Sequence, residues 1–379
     1  MSPLLRAALT WLVVVGVLTA PVSAARSDDY GTLPGSKALA EIPGRTGSAS
    51  ISQGQANDLL ATLTALKACD AQRLPQDPEC ELRHLNDETI TTGAEIRARV
   101  PAGDHPLHLW RLKGPAATVY LAGSVHILKP SLYPLPIPYE LAFAASDHLV
   151  VEVNLAAIDP VALQQKTMSY ASLPAGERLE DIVPGPLLAR LTQSLAAYGV
   201  PLAQVAAFKP AFLMNQIVLL RLSALGYQGD WGVEQHFLRK AGSRNLLELE
   251  TIDEQLSLLF DQPLDLQLQL LRDTLDQEPD IEPLVAGMIG AWLAGEDEEF
   301  MEMFEAQSGD SELSRRFTEQ LLDERNHGMA ARVRDLVQNG EGTYFVLVGA
   351  AHLIGDKGIV ALVRADGLRP ERITANATL

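Results

Sequence analysis

In two stretches of this chain, a hydrophobic run ends in a Gly-x-x-His motif. In TVYLAGSVHIL, Gly123 is followed by His126, and in TYFVLVGAAHLIG, Gly349 is followed by His352. A glycine just past a strand allows a tight turn or a close approach to the backbone, so the histidine can swing back over the sheet edge. Histidines together with carboxylates bind zinc, manganese, iron or cobalt, and such a metal with an open position activates water.

One such motif is weak evidence, because a single histidine after a strand more often caps a turn. Here two motifs lie 226 positions apart, and each follows a strand of the buried type. Ser124, beside His126, fills the turn or donates a hydrogen bond in preference to acting as a nucleophile. The chain has no His-Glu-x-x-His, no Gly-x-Ser-x-Gly, no Walker loop and no Gly-x-Gly-x-x-Gly. The motif pair therefore predicts a shared polar site.

Carboxylates follow two further strands. Glu152 lies in the apolar run LVVEVNL, where an unpaired charge would be costly, so it must face solvent, pair with a cation or bind a metal. Glu248 and Glu250 close the run RNLLELE, and Glu250 is less informative because a strand end is easily solvated. Two imidazoles and at least two carboxylates are thus available at strand ends.

Strand-like runs alternate with long helical segments from residue 105 onward. The strands are continuously apolar, which is typical of a sheet buried on both faces. We predict an α/β fold with a central, mostly parallel or mixed sheet flanked by helices, and a large helical insertion between the Glu152 strand and the Arg244–Glu250 strand. Because ligands gather at the carboxyl ends of such strands, the polar residues above should share one edge.

The most apolar of the helical segments is AFLMNQIVLLRLSALG, residues 211–226. It predicts a buried core helix, with an apolar peptide groove or a dimer contact as the alternatives.

The N-terminus predicts export. Residues 1–24 have one early cation, an apolar stretch and small residues before a cleavage point after Ala24, as in a secretory signal peptide. An uncleaved anchor is the alternative. We expect a periplasmic or secreted protein with no stable membrane insertion after cleavage. The formal net charge of −18 would be repelled by phosphate backbones and anionic lipid, which disfavours nucleic acid as a partner.

Three segments should follow the signal peptide. Residues 25–52 are rich in Gly, Ser and Pro and predict a flexible leader. Residues 53–104 predict a small extension with a helix, and residues 105–379 the α/β domain. Cys69 and Cys80 are the only cysteines, and in an oxidising compartment they favour a local disulfide over two free thiols. Most of the remaining histidines should be solvated.

The ordered motifs resemble the TraB/GumN family, which includes the Tiki proteases that inactivate Wnt proteins. The resemblance runs from HLWRL, VYLAGSVHIL and LVVEVNL through GDWGVEQHFLRKAGSRNLLELETIDEQL and DERNHGMAARV to VLVGAAHLIGDKG, or roughly residues 105–373. Each piece is short, but the ordered set is specific. The segment before Pro101, with its cysteine pair, lies outside the resemblance.

The resemblance implies a fold related to erythromycin-esterase-like and ChaN-like proteins. It also implies metal-dependent hydrolysis centred on the two Gly-x-x-His motifs and a glutamate, which corresponds to Glu152. Arg325 and Asn326 match an Arg-Asn pair of the family. Many members have Gly-Ile/Leu-Asp where this chain has Gly232-Val233-Glu234, so a carboxylate is kept on a longer side chain.

Our leading hypothesis is an exported metal-dependent hydrolase that acts as a peptidase. His126, His352 and Glu152 would hold or flank a divalent cation (manganese, cobalt, zinc or iron), with Glu234 or Glu250 as a further ligand or general base. The substrate would be a peptide or a small molecule.

Arg325 would stabilise developing negative charge, or would form an ion pair that holds a helix to the sheet. Two alternatives to the leading hypothesis stay open. One is a metal-independent hydrolase in which a histidine acts as general base beside a glutamate. The other is a binding module that sequesters a peptide or a haem-like ligand without turnover.

Overall fold

The computed structural model describes residues 27–34, 36–55, 58–74, 77, 80–90, 93–306 and 311–379. The predicted signal peptide, residues 1–24, lies outside the described residues. Within these ranges, no helix is both long enough and apolar enough to cross a membrane.

Ten strands are found in the described part of the chain. They are β1 (Ser36–Glu41), β2 (Ser50–Gln55), β3 (Glu81–Leu85), β4 (Glu88–Thr89), β5 (Pro106–Lys113), β6 (Ala117–Ser124), β7 (His148–Val151), β8 (Asn245–Glu248), β9 (Gly342–Gly349) and β10 (Glu371–Thr374).

The α-helices of the same residues are numbered in chain order. They are α1 (Asp58–Asp70), α2 (Gly93–Arg97), α3 (Ile137–Ala144), α4 (Pro160–Ala171), α5 (Leu179–Ile182), α6 (Gly185–Ala197), α7 (Leu202–Val205), α8 (Pro210–Ala224), α9 (Val233–Arg239), α10 (Ile252–Phe260), α11 (Leu264–Gln277), α12 (Ile281–Ala294), α13 (Asp297–Ala306), α14 (Glu312–Glu319), α15 (Arg325–Asn339), α16 (Ala350–Leu353) and α17 (Ile359–Ala365). A π-helical turn, Gln320–Glu324, joins α14 to α15.

The predicted α/β fold is confirmed by a six-stranded mixed sheet with the order β10-β5-β6-β9-β7-β8. The first three strands are antiparallel neighbours, whereas β6, β9, β7 and β8 are parallel to one another. Gly123 lies opposite Val348 and Ser124 lies opposite Gly349 in the register of β6 and β9. The two Gly-x-x-His motifs therefore begin on adjacent strands and are offset by one residue in the register.

Three of the parallel strands, β6, β9 and β7, are buried on both faces over most of their length, which explains their apolar sequences, whereas the edge strand β8 is partly exposed. Consecutive residues of β9 from Phe345 to Val348 have no exposed surface, and Val119 and Leu121 of β6 are buried to the same extent. Their burial leaves polar side chains no place along these strands except at the strand ends.

The helical insertion lies where it was predicted, with α4 to α9 between β7 and β8. Helices α4 to α8, together with α10 and α11, enclose a second hydrophobic core, which includes Leu191, Phe212, Ile217 and Phe260. The apolar segment 211–226 is the buried helix α8 of this core, as predicted. Its apolar circumference packs against neighbouring helices.

The N-terminal region differs from the prediction of a flexible leader. Within residues 25–52, β1 and the start of β2 pair in a four-stranded sheet with the order β2-β1-β3-β4. The run KALAEI is short and flanked by Gly and Ser, but Ala38, Ala40 and Ile42 are fully or almost fully buried, so small side chains suffice for this layer. The predicted disulfide, Cys69 to Cys80, is present and ties α1 to the start of β3.

Candidate active site

The carboxyl ends of β6, β9 and β7 bring the predicted site residues together around Gly349. A Cβ at this glycine would lie 3.6 Å from His126 Nε2, 3.5 Å from Glu152 Oε1 and 3.5 Å from His352 Cδ2. The two motif histidines and the strand-end glutamate thus line one small space. The backbone of Gly349 (φ −51°) is ordinary, so the missing side chain matters because it leaves this space open.

Gly123 serves packing, not turn geometry. A Cβ there would lie 3.0 Å from His108 Cβ and 3.1 Å from Ala350 Cα, which is closer than ordinary van der Waals contact. The first motif glycine therefore lets β5 and α16 approach β6, and α16 carries His352.

His126 is oriented by Glu234. Its Nδ1 lies 2.7 Å from Glu234 Oε1, and the Ser124 hydroxyl donates to the same oxygen. The Glu234 carboxylate raises the pKa of His126 to about 9, although the imidazole side chain is 65% exposed. Glu234 was predicted as a further metal ligand or a general base, and its Oε1 lies on the Nδ1 side of the His126 ring. The Ser124 hydrogen bond is the one foreseen from the sequence.

Gly232 lets this arrangement form. A Cβ at Gly232 would overlap the carbonyl oxygen of His126, so α9 can begin next to the motif only because the residue before Val233 is glycine. The glycine of the Gly-x-carboxylate pattern is thus explained, because a side chain at this position would collide with the backbone of His126.

His352 is buried, with 4% of its surface exposed, and is held in one tautomer. Its Nδ1 lies 2.6 Å from Asn326 Oδ1, and Asn326 Nδ2 donates to the Lys357 carbonyl at 3.0 Å, which fixes the amide orientation. Nδ1 is therefore the protonated nitrogen and Nε2 carries the lone pair. Burial lowers the pKa of His352 to about 4, so the ring is neutral at pH 7.

Glu152 accepts hydrogen bonds on both oxygens. Oε1 receives the Gly349 amide at 2.7 Å, and Oε2 receives Arg325 Nη2 at 2.9 Å and Gln255 Nε2 at 3.1 Å. Burial opposes ionisation, but His352, His126, Arg325 and the Gly349 amide outweigh it and lower the pKa of Glu152 to about 2. The strand-borne charge is thus compensated, as its buried position requires.

Arg325 joins helix α15 to the sheet. It donates Nε to Glu250 Oε1 at 2.9 Å and Nη2 to Glu250 Oε2 at 2.6 Å, and its Nη1 lies 3.1 Å from His352 Nε2. Nη1 also donates to Leu321 O, a carbonyl of the π-helical turn, at 2.9 Å. The ion pair that the sequence offered as the alternative role of Arg325 is therefore present, and the guanidinium also faces the site.

Glu250 is placed by a local sequence signal. Its amide donates to the Glu152 carbonyl at 2.9 Å, which continues the β7–β8 pairing by one step. Thr251 and Glu254 then form a reciprocal capping box that starts α10. Such a cap fixes the direction of the chain directly after Glu250.

Sequence reasoning missed the aromatic residues behind the first motif. Trp292 Nε1 donates to the Gly123 carbonyl at 3.0 Å, and the Tyr139 hydroxyl lies 3.1 Å from the same oxygen. A tryptophan in the otherwise apolar run MIGAWLAG was the available signal, because a buried indole needs an acceptor for its N–H.

His108 also departs from the expectation of solvated histidines, since it is completely buried and lies 3.0 Å from Asp297 Oδ1.

The donor set agrees in kind with a divalent metal. Each motif histidine has Nδ1 directed at a side-chain oxygen, which leaves Nε2 as the ligating nitrogen, and this arrangement is typical of metal-binding histidines. Glu152 supplies a carboxylate beside both rings. In the described part of the chain, no group of three His, Cys, Asp or Glu side chains is already arranged to hold a metal ion. The lone pair of His352 Nε2 accepts a hydrogen bond from Arg325 Nη1.

The sequence profile of the TraB/PrgY/gumN family matches residues 108–372 of the chain. The match begins in β5 and ends in β10, so it spans the six-stranded sheet and every side chain of the candidate site. The four-stranded N-terminal sheet lies outside it. Comparisons with curated proteins and with solved structures gave no match.

Proposed function

The chain belongs to the TraB/PrgY/gumN family, and from that premise and the geometry of its site we propose that it is a hydrolase of peptide bonds. The observation that carries the proposal is the convergence of His126 Nε2, Glu152 Oε1 and the His352 ring on the open space at Gly349. Two imidazoles in opposite protonation states beside a carboxylate form a set that can hold water and move its protons. A peptide as substrate is supported by the resemblance to Tiki proteases.

In the leading form of the proposal the site works with a divalent cation. His126 Nε2, His352 Nε2 and Glu152 would hold the metal, which when bound lowers the pKa of water to about 7. Glu234 and Asn326 keep the two rings in the tautomer that presents Nε2. Arg325 stabilises negative charge that develops on the carbonyl oxygen of the substrate.

A second form of the proposal needs no metal, and one observation favours it. Arg325 already lies between Glu152, Glu250 and His352, where it supplies a positive charge. At pH 7 the neutral His352 accepts a proton from water at Nε2, where water would replace the Arg325 Nη1 hydrogen bond, and the protonated His126 donates a proton to the leaving amine. Glu152 holds its charge throughout and orients the water.

A peptide-cleavage screen read by mass spectrometry, run beside metal analysis, tests both forms. Wild type, His126→Ala and His352→Ala are compared with His327→Ala, which removes an exposed histidine from the same helix as Arg325. We expect product from wild type and from His327→Ala only. Loss of activity on exhaustive chelation and recovery with manganese, cobalt or zinc supports the metal form, and activity that survives chelation supports the second form.

Two outcomes oppose the proposal. Metal content and activity that are equal in wild type and in both motif variants would remove the site from the reaction. Stoichiometric protection of a peptide or haem-like ligand, with no product, would favour a binding module instead.

We further propose that the protein is exported. The Cys69–Cys80 disulfide is typical of an oxidising compartment. N-terminal sequencing of the protein recovered from cells tests this, with a mature N-terminus after Ala24 as the expected result. A chain that retains its first residues in a reducing compartment contradicts it.

A further inference from the structure

Residues 125–136 form the loop that follows β6 and contains His126, and Arg97 at the end of helix α2 holds this loop. The Arg97 guanidinium donates Nε to the Ser131 carbonyl at 3.3 Å and Nη2 to the Pro134 carbonyl at 2.8 Å, and Nη2 also donates to Leu132 O. One side chain thereby satisfies three carbonyls of a single loop. Charged donors make stronger hydrogen bonds than neutral ones, so Arg97 restrains this loop at three points.

A cation within the same loop faces carboxylates of the N-terminal unit, by which we mean the described residues of 27–104. Lys129 is 5% exposed, and its Nζ lies 4.4 Å from the centre of the Tyr227 ring. The carboxylates that attract it are Glu282 on α12 and, from the N-terminal unit, Glu81 and Glu95. A buried ammonium requires such compensation, which comes first from Glu282 and then from Glu81 and Glu95, whereas Arg83 of the N-terminal unit opposes it.

The other side of the loop is fixed to the segment that leads into α9. Leu128 and Gln228 exchange backbone hydrogen bonds at 3.3 and 2.9 Å, and the Val233 amide donates to the Val125 carbonyl at 3.1 Å. Residue 126 therefore lies in a loop that is restrained on both sides. Arg97, which holds one side of the loop, lies outside the family match.

The N-terminal unit is continuous with the core of the α/β domain. Ile90 and Ile96 belong to the same buried hydrophobic cluster as Leu128 and Leu132 of the loop. Helix α1 is also joined to α8, because the Thr62 hydroxyl donates to the buried Ala224 carbonyl at 3.1 Å. Movement of the unit relative to the loop would open this shared core.

We propose that the N-terminal unit is a positioning device for His126, with Arg97 as its principal positioning residue. Arg97 acts through the loop and not on the substrate. The functional consequence rests on the hydrolase proposed above, whereas the structural consequence does not. Removal of the Arg97 guanidinium should free residues 125–136 and displace His126 while His352, which is carried by β9 and α16, stays in place.

The test compares Arg97→Met, Arg97→Lys and Arg45→Met in the full chain. Arg45→Met is the matched control, because among the described residues the Arg45 guanidinium donates to Gln72 O at 3.1 Å and Asp77 Oδ2 at 2.7 Å, both within the N-terminal unit. The readouts are amide hydrogen exchange of residues 125–136, the imidazole NMR signals of His126 and His352, and the steady-state constants for any peptide that wild type cleaves.

In Arg97→Met we expect faster exchange confined to residues 125–136, and a shifted or broadened His126 signal beside an unchanged His352 signal. We also expect kcat to fall roughly tenfold with little change in KM, because misplacement of a catalytic group acts mainly on the chemical step. Arg97→Lys should recover part of each change, and Arg45→Met should match wild type.

Wild-type exchange and an unshifted His126 signal in Arg97→Met would overturn the inference. So would exchange that rises equally in β6, β9 and the loop, because that pattern indicates general destabilisation. If wild type cleaves no peptide, the proposed function fails, and the exchange and imidazole readouts still decide whether Arg97 positions His126.

Discussion

At the scale of single residues, the site depends on what is missing from Gly349. The space between His126, Glu152 and His352 exists because this position has no Cβ, and the distances of 3.5 to 3.6 Å show that a methyl group would fit without a clash. In the proposed reaction, such a methyl would occupy the place of a water, a metal or a substrate oxygen. Substitution here can therefore remove chemistry without removing the fold.

We predict that Gly349→Ala keeps the stability of wild type and lowers peptide cleavage on the order of a hundredfold, the loss typical of a misplaced reacting group. The cleavage assay and thermal unfolding measure the two effects. Gly328→Ala on α15 is the control, because its Cβ meets nothing within 4 Å and the change should only stabilise the helix. Undiminished cleavage by Gly349→Ala would show that the reaction occurs elsewhere.

The histidine pair illustrates which residues the sequence could place. Parallel strands end at one edge, so the motif glycines and Glu152 were predictable from strand type and position alone. Asn326, which fixes the tautomer of His352, comes from a helix whose orientation the local pattern does not specify. Glu234 was identified by the family pattern, but its place behind His126 depends on the steric requirement at Gly232.

At the scale of elements, the π-helical turn before α15 determines where Arg325 lies. A π-turn frees carbonyls from the regular α pattern, and such turns are frequent at functional sites. Here the Leu321 carbonyl accepts Arg325 Nη1, which directs the guanidinium toward Glu152 and Glu250. The hydrophobic periodicity of the sequence does not predict this π-turn. The sequence alone could therefore give the ion pair only as one of two roles of Arg325.

We predict that Arg325→Met lowers the free energy of unfolding by about 3–5 kcal/mol, because it leaves two nearly buried carboxylates without their cation. Urea denaturation measures the change. The side chains of Glu152 and Glu250 are 11% and 13% exposed, so solvent compensates little.

Arg334→Met provides the control on the same helix. The pair of Arg334 with Asp366 is 40% exposed on each side, and its loss should cost less than about 1 kcal/mol. Equal effects of the two substitutions would mean that Arg325 does not neutralise the site.

The N-terminal sheet could not be predicted from amino-acid composition. Gly, Ser and Pro around KALAEI indicated a leader, yet Ala38 and Ala40 are fully buried in β1. Two of the buried positions in β1 are alanines, whose weak hydrophobicity gives little signal beside the surrounding Gly, Ser and Pro. The pairing of β1 with β3 across the disulfide-closed segment is a tertiary property that no single stretch encodes.

At the scale of the whole molecule, the titrating groups of the site make the stability of the folded protein fall at high pH and at low pH. His126 has a folded pKa of about 9 against 6.5 unfolded, so its stabilisation is complete below pH 6.5 and is lost as the pH rises through 9. His352 has a folded pKa of about 4, so stability falls as the pH drops from 6.5 toward 4. Glu152, with a folded pKa of about 2 against 4.5, extends that loss below pH 4.5.

We therefore predict that the metal-free protein is most stable near pH 6.5 with respect to these groups. Urea midpoints in chelator, measured from pH 3 to pH 9.5, should fall on both sides of that value. On the acid side, His352 alone should contribute on the order of 3 kcal/mol, because one pKa unit corresponds to about 1.4 kcal/mol.

Variants separate the two limbs of this profile, because each removes one titrating group. His126→Ala should lack the loss between pH 6.5 and 9, and His352→Asn should lack most of the loss between pH 6.5 and 4, whereas His327→Ala should keep both. Titrating groups that do not interact with either histidine cancel in the difference between wild type and variant, whereas the pKa of Glu152 depends on both histidines and contributes to the difference on the acid side. If the difference between wild type and His126→Ala stayed constant from pH 6.5 to 9, then Glu234 would not hold His126 as a cation. The opposite protonation states on which the metal-free form of the reaction depends would then be absent.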